Sequence, residues 1–173
     1  MILDAAAVLS SSQAITATAV STGVYDVAGL GVGNPATNVF GQVFGTATNE
    51  GNDIGGGGPL VSPPMIVALV GTAFTAAGAA TMIITLQGAP DTSNSGTPGT
   101  WTDEISTGAM AVANLTAGAA AARFVIPPRV PGQAFQRFYR LNYTIATGPM
   151  TAGTMSAFIA TGADNGAIYS SNF

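Results

Sequence analysis

The alternation of apolar and polar residues is strictest in residues 137–145. Four large apolar side chains share one face of an extended segment there: Tyr139, Leu141, Tyr143 and Ile145. The opposite face carries Phe138, Arg140, Asn142 and Thr144. Because successive side chains of a strand point to opposite faces, this pattern predicts a strand with one face on a core and the other toward water or a partner. Residues 153–160 alternate similarly after a linker with Gly148 and Pro149, so we predict that the two strands form a hairpin.

Shorter segments of the same kind occur along the rest of the chain, separated by Gly- and Pro-rich turns. The candidate strands are residues 13–25, 65–70, 81–87, 101–106 and 121–126. A long glycine-rich segment, residues 27–64, is mostly turn-forming and holds one short candidate strand at 39–44. About eight short strands without a long helical pattern predict a single all-β domain, either a sandwich or a barrel.

Residues 65–86 form an uncharged apolar segment as long as a membrane-spanning helix, which needs about 20 residues. No basic residue flanks the segment, and the nearest arginine is Arg123. Its ends are rich in β-branched residues, whereas its middle, residues 74–80, is small and turn-like. Two strands joined by a turn therefore fit this segment better than a helix, and we expect no membrane contact.

The composition is poor in charge. Only 7% of the residues are charged, against about 25% in a typical domain, and the net charge is −4. A solvated monomer usually keeps more charge for solubility, so we expect other subunits to cover much of the surface. Nucleic acid is not an expected partner, because phosphate binding needs clustered Lys and Arg.

The residues that carry most enzyme chemistry are missing, since the sequence has no Cys, no His and no Lys. The usual general bases, thiol nucleophiles and Schiff-base amines are thereby excluded. A carboxylate pair is the remaining option, but Asp103 and Glu104 are adjacent and would point to opposite faces of a strand, as at a solvated edge. Residues 49–53 offer oxygen ligands for calcium, although an ordinary turn fits them better. We therefore predict a protein that is not an enzyme and has no cofactor or metal site.

The four arginines lie close together in the sequence: Arg123, Arg129, Arg137 and Arg140. They can pair with the acids of the N-terminal third of the chain, which are Asp4, Asp26, Glu50 and Asp53. They can equally contact another subunit, because Arg is enriched in interfaces and binds carboxylates in a bidentate manner. Arg140 lies on the polar face of its predicted strand and is the first candidate for a partner contact.

Several short blocks resemble one known family, in the same order along the chain. They are Met1-Ile2-Leu3-Asp4, Gln13-Ala14-Ile15-Thr16-Ala17, Asn52-Asp53-Ile54-Gly55 leading to Pro59-Leu60, Ile84-Thr85-Leu86-Gln87, and Arg140-Leu141-Asn142-Tyr143-Thr144 followed by Thr151-Ala152-Gly153. Together they resemble the capsid cement proteins of tailed bacteriophages, in particular the family typified by the Bordetella phage cement protein. The block at 140–144 is the most specific. The chain departs from the family pattern in residues 28–48 and after residue 163.

The resemblance implies a jelly-roll-like antiparallel β-sandwich of about eight strands. It also implies a structural subunit on the outer surface of an icosahedral phage head, present in the host cytoplasm before assembly. Such a subunit bridges major capsid proteins and associates with itself, as a dimer or a trimer. We expect residues 1–12 to form an extended arm, with Met1, Ile2 and Leu3 as an apolar anchor, and residues 162–173 to form a polar tail.

A different class of function stays open at this point. A carbohydrate-binding jelly roll, or the head of a tail fibre, would use exposed aromatic residues to stack on sugars. The candidates are Trp101, Tyr25, Tyr139 and Tyr169. A single tryptophan in the whole chain favours the structural role.

Overall fold

β-Strands make up most of what the computed structural model describes, which is residues 7–26, 64–91, 96–126 and 136–161. The strands are β1 (Val8–Ala14), β2 (Ala19–Val20), β3 (Tyr25–Asp26), β4 (Pro64–Val70), β5 (Thr75–Ala76), β6 (Thr81–Pro90), β7 (Thr102–Ser106), β8 (Met110–Ala111), β9 (Ala120–Val125), β10 (Gln136–Ala146), β11 (Met150–Ala152) and β12 (Thr154–Thr161). A short 3₁₀ turn, Val112–Asn114, precedes β9. No helix among these residues is long and apolar enough to span a membrane.

The strands form two packed antiparallel sheets. The β4 sheet has the order β1-β12-β4-β9, and the β10 sheet has the order β2-β10-β6-β7. Strand β3 lies beside β2 along β10, and β8 lies beside β7 along β6, while β5 and β11 pair with each other. β2 and β3 together fill one position beside β10, and β7 and β8 together fill one position beside β6. Without the short pair β5 and β11, the two sheets then hold eight positions, which read 1-8-3-6 and 2-7-4-5 in chain order. This is the order of a jelly roll wound from two Greek keys, and the predicted all-β sandwich is confirmed.

The core lies between the two sheets. The β10 sheet contributes Met82, Ile84, Leu86, Tyr139, Leu141 and Tyr143. The β4 sheet contributes Leu9, Ile66, Ala68, Val70, Met155, Ala157 and Ile159. These residues occupy alternate positions of their strands, because only every second side chain faces the opposite sheet. The inward faces predicted for residues 81–87 and 137–145 are therefore confirmed.

One buried polar contact joins the sheets through this core. The hydroxyl of Ser10 in β1 lies 2.9 Å from the hydroxyl of Tyr143 in β10. Ser10 also donates a hydrogen bond of 2.8 Å to Oε1 of Gln13. Burial raises the pKa of Tyr143 to about 12, because a phenolate is poorly solvated in the core.

The predicted hairpin between residues 137–145 and 153–160 is wrong. Both segments are strands, but β10 and β12 lie in different sheets, where β10 pairs with β6 and β12 pairs with β1 and β4. Between them the chain turns through Thr147 and Gly148, which have φ of 64° and 116°, and passes through β11 before Gly153 at φ 135°. A linker with these backbone angles crosses from one sheet to the other instead of folding the strand back on its neighbour.

Other predicted segments are refined by the structure. Residues 65–86 contain strands β4, β5 and β6, and not a helix. The strand predicted at 13–25 is divided among β1, β2 and β3. The predicted arm, residues 1–12, is wrong from Val8 onward, because β1 begins there and pairs with β12 in the β4 sheet. The candidate strand at 39–44, the calcium alternative at 49–53 and the tail at 162–173 lie outside the described residues.

The two ends of the sandwich differ in how the chain passes through them. At one end, connections between the sheets are held by backbone hydrogen bonds such as Val70 N to Ala119 O (2.9 Å) and Phe74 N to Leu115 O (3.0 Å). At the other end, β3 and β6 finish and β10 begins, and β4 starts opposite the last residue of β12. Asp26, Asp91 and Arg137 lie at this second end.

Candidate interaction surface

Arg137 forms a buried ion cluster where β3, β6 and β10 meet. Its Nε and Nη2 donate to the two carboxylate oxygens of Asp26, each at 2.8 Å. Its Nη1 donates to Oδ2 of Asp91, which also accepts a hydrogen bond of 3.1 Å from the backbone N–H of Gly96. The hydrogen bonds and the charge of Asp26 and Asp91 raise the pKa of Arg137, with the hydrogen bond to Asp26 as the largest cause.

This cluster has a structural role. Arg137 is 4% exposed, and its side chain is held by two carboxylates, so it stabilises the ends of three strands. A planar guanidinium suits the site because it binds a carboxylate through two parallel hydrogen bonds. The expectation that arginines pair with N-terminal acids is met by Arg137 and Asp26. Asp91, the second carboxylate partner, was not among the acids considered from the sequence.

Arg140 lies on the outer face of the β10 sheet, as predicted from the alternation of β10. Its guanidinium carbon is 4.1 Å from the centroid of the Trp101 ring, and its Nε donates to Oε1 of Gln87 at 2.8 Å. Gln87 in turn donates to Oδ1 of Asp103 at 2.7 Å. The stacked guanidinium covers one face of the indole, the surface that a sugar ring would use. Partial burial lowers the pKa of Arg140.

The outer face of the β10 sheet is otherwise mainly polar, although Val20, which pairs with Asn142, and Ile83, which pairs with Thr144, also lie on it. The register pairs Asn142 with Thr85 and Thr85 with Ser106, one row along from the pairs Arg140–Gln87 and Gln87–Asp103. This polar face belongs to the strands whose opposite sides form the core, so it follows the usual pattern of an antiparallel sheet that meets water on one side.

The outer face of the β4 sheet is mainly apolar, with Ser156 opposite Leu69 as a polar exception. The apolar side chains on it belong to all four strands: Val8, Met65, Val67, Leu69, Val125, Phe158 and Ala160. We call this surface, together with Arg123, the Phe158 face. Val8 pairs with Phe158, Phe158 with Val67, and Val67 with Arg123, so these four residues form one continuous row across the sheet.

Arg123 is the charged member of this row. It is exposed at the edge strand β9, and it forms no ion pair with any residue in the part of the chain that the structure describes. It therefore differs from Arg137, which is buried and paired, and from Arg140, which is stacked on Trp101. The other predicted interface residues, Met1, Ile2, Leu3 and Arg129, lie outside the described residues.

The adjacent carboxylates of β7 do not form a facing pair. Asp103 accepts from Gln87 on the outer face, whereas Oε1 of Glu104 accepts from the hydroxyl of Thr102 at 3.2 Å. Both residues are exposed, which fits the predicted solvated edge. In the described ranges no group of three or more acids could hold a metal ion.

The fold and these two faces define an antiparallel β-sandwich of the jelly-roll class. The sequence pattern of the Bbp16 family matches residues 9–159, which begin in β1 and end in β12 and so cover both sheets. The chain belongs to the Bbp16 family. No curated protein matches the chain.

Proposed function

We propose that this protein is a capsid cement protein. In this role it binds the outer surface of an icosahedral phage head, bridges neighbouring major capsid proteins and stabilises the shell. The proposal includes self-association as a dimer or a trimer. Its place is the virion surface, after a period in the host cytoplasm before assembly.

One relationship between sequence and structure carries the proposal. Two of the blocks that resemble the Bordetella phage cement protein family, residues 84–87 and 140–144, are direct partners at the centre of the β10 sheet. The register pairs Arg140 with Gln87, Leu141 with Leu86, Asn142 with Thr85 and Tyr143 with Ile84. Blocks that are distant in sequence thus form one patch of the fold. This supports a relationship in architecture as well as in short motifs.

The low charge of the chain fits a subunit that works as part of a lattice. With 7% charged residues, the surface has few groups that oppose association. A cement subunit makes several modest contacts with a rigid shell, and their combined effect gives strong attachment without any single tight interface. A jelly roll suits this task because its core fixes both outer faces of the sandwich relative to each other.

The copy number of the protein in purified virions tests the proposal. Quantitative mass spectrometry of intact particles should give a copy number close to that of the major capsid protein. A few copies per particle would indicate a tail or fibre component instead. Absence from the particle would refute a virion role of either kind.

A further inference from the structure

The two outer faces of the sandwich differ in chemistry. Polar and charged residues such as Arg140, Asn142 and Gln87 predominate on the outer face of the β10 sheet, with Val20 and Ile83 among them. Among the described residues of the Phe158 face, Arg123 alone is charged. Within the Phe158 face, Met65 pairs with both Ala160 and Val125, next to the row of Phe158 and Val67. An antiparallel sheet with one side in water would place polar residues at such positions. The Phe158 face therefore has the character of a covered surface. Val67 and Ala160 are already buried in the isolated chain, Phe158 and Met65 are half-buried, and the exposed part of the face is the β9 side with Arg123 and Val125.

The edges of the sheets are less suited to partner binding than this face. Strand β1 has two register irregularities and a positive φ of 47° at Ser12, and β7 has an irregularity between the pairs of Leu86 and Gln87. The outer strand β9 has another, next to Leu69. Irregularities of this kind bend an edge strand and oppose the addition of a further strand. A partner would thus contact the face of the β4 sheet and not extend it.

Charge identifies the kind of partner. Arg123 is exposed, lies beside Val67 and Val125, and has no ionic partner among the described residues. Within the described part of the Phe158 face no acidic side chain is present, so two copies stacked through this face would leave Arg123 without a carboxylate. A complementary surface needs apolar side chains that surround an Asp or Glu.

We propose that the Phe158 face is the surface that docks on another protein, through an apolar patch of that protein with a carboxylate opposite Arg123. This inference rests on the proposed function, in which the other protein is the shell subunit. The polar face with Arg140 then points away from the shell. The proposal thus assigns the two faces of the sandwich to two different environments.

Binding to empty phage shells that lack this protein tests the proposal. Co-sedimentation would compare the wild-type chain with two variants of the Phe158 face, Arg123→Glu and Val125→Glu. Both residues are exposed, so the substitutions should leave the melting temperature unchanged. Arg140→Glu is the matched charge reversal on the other face. Val20→Glu matches Val125→Glu, because the two side chains are 40% and 41% exposed and Val20 lies beside Asn142 on the outer face of the β10 sheet.

We expect each Phe158-face variant to weaken shell binding by about 30-fold or more. Arg123→Glu removes one partner of a desolvated charge pair, and Val125→Glu places a carboxylate against an apolar patch that already carries one. The two controls should stay within about threefold of the wild type. If the wild type binds shells and the Phe158-face variants bind with an affinity within threefold of it, this inference is wrong, while the proposed function still stands. Failure of the wild type to bind shells would overturn both.

Two further outcomes would identify a different occupant. If Arg123→Glu and Val125→Glu lower the melting temperature of the isolated protein strongly, the chain itself covers this face, and the inference is wrong. If they convert an oligomer into a monomer in sedimentation velocity while shell binding persists, a second copy occupies the face, which also contradicts the proposal.

Discussion

Arg137 and Asp26 are joined by two parallel hydrogen bonds of 2.8 Å, although 111 positions separate them in the sequence. Asp26 ends β3 and Arg137 is the second residue of β10, so the pair fastens an outer strand to a central one. Asp91 adds the end of β6 to the same guanidinium. Three strands of the β10 sheet are therefore held at one end by ionic contacts that are largely removed from water.

Replacement of Arg137 by Met should destabilise the protein by about 3 kcal/mol, because it leaves Asp26 and Asp91 partly buried without their cation. Urea unfolding measures the change. Arg140→Met on the same strand is the control, and its cost should stay below about 1 kcal/mol, because the partners of Arg140 are Trp101 and the neutral amide of Gln87. Equal losses for the two variants would contradict the structural role of the cluster.

Ser10→Ala should lower the free energy of unfolding by about 1–2 kcal/mol, because it leaves the buried hydroxyl of Tyr143 without its partner in the opposite sheet. Ser11 is the next residue of β1 and is exposed, so Ser11→Ala should change stability by less than about 0.5 kcal/mol. Thermal or urea unfolding of the two variants separates the buried contact from any general effect on β1. A Ser10→Ala variant as stable as the wild type would show that the hydrogen bond contributes nothing.

Gly153→Ala should cost about 3 kcal/mol or more, for two reasons. The φ of Gly153 is 135°, which L residues rarely adopt, and a Cβ there would lie 2.2 Å from the ring of Phe74. Gly148 has a φ of 116° with open space around the same position, so Gly148→Ala reports backbone strain alone and should cost about 1–2 kcal/mol. The difference between the two free energies measures the contact with Phe74. No difference would mean that the ring moves aside freely.

Stability should fall as the pH rises from about 10 to about 12. Burial raises the pKa of both Tyr139 and Tyr143 to about 12, with a smaller contribution from Glu104 at Tyr139. An unfolded tyrosine loses its proton near pH 10, so above that pH the unfolded state binds fewer protons than the native state. Each of these tyrosines should then reduce the free energy of unfolding by about 1.4 kcal/mol per pH unit until its native pKa is reached.

The double variant Tyr139→Phe and Tyr143→Phe tests this prediction. It should be less stable than the wild type at pH 7, because the contact with Ser10 is lost, but its stability should fall less steeply above pH 10. The slopes of unfolding free energy against pH are the quantities to compare. Identical slopes would show that the two phenols ionise equally easily in the native and unfolded states.

The sequence was sufficient to predict most strands of the core, although β1 lies largely within the predicted arm. Residues 137–145 and 81–87 alternate as strands, and most of the large apolar side chains predicted to face inward are buried in the structure, among them Ile84, Leu86, Leu141 and Tyr143. This is a local property, because the side chains of any strand alternate in direction irrespective of its neighbours. The sequence also indicated that Arg140 lies on the face opposite Tyr139, Leu141 and Tyr143.

The sequence alone did not determine which strands pair. Residues 137–145 and 153–160 read as a hairpin, yet the structure places them in different sheets. A strand can satisfy its backbone hydrogen bonds with any compatible neighbour, so its own pattern does not identify that neighbour. The same limit applies to Arg137: pairing with an N-terminal acid was one of two alternatives left open by the sequence, and Asp91 was not considered.

Residue types and their alternation thus determined the all-β class, the core positions and the shortage of charge. The tertiary structure decided the jelly-roll winding, the partners of Arg137 and the apolar outer face that contains Arg123 and Phe158. The reason is physical: alternation is set within a single strand, whereas pairing, burial and outer faces depend on contacts between segments that are far apart in the chain.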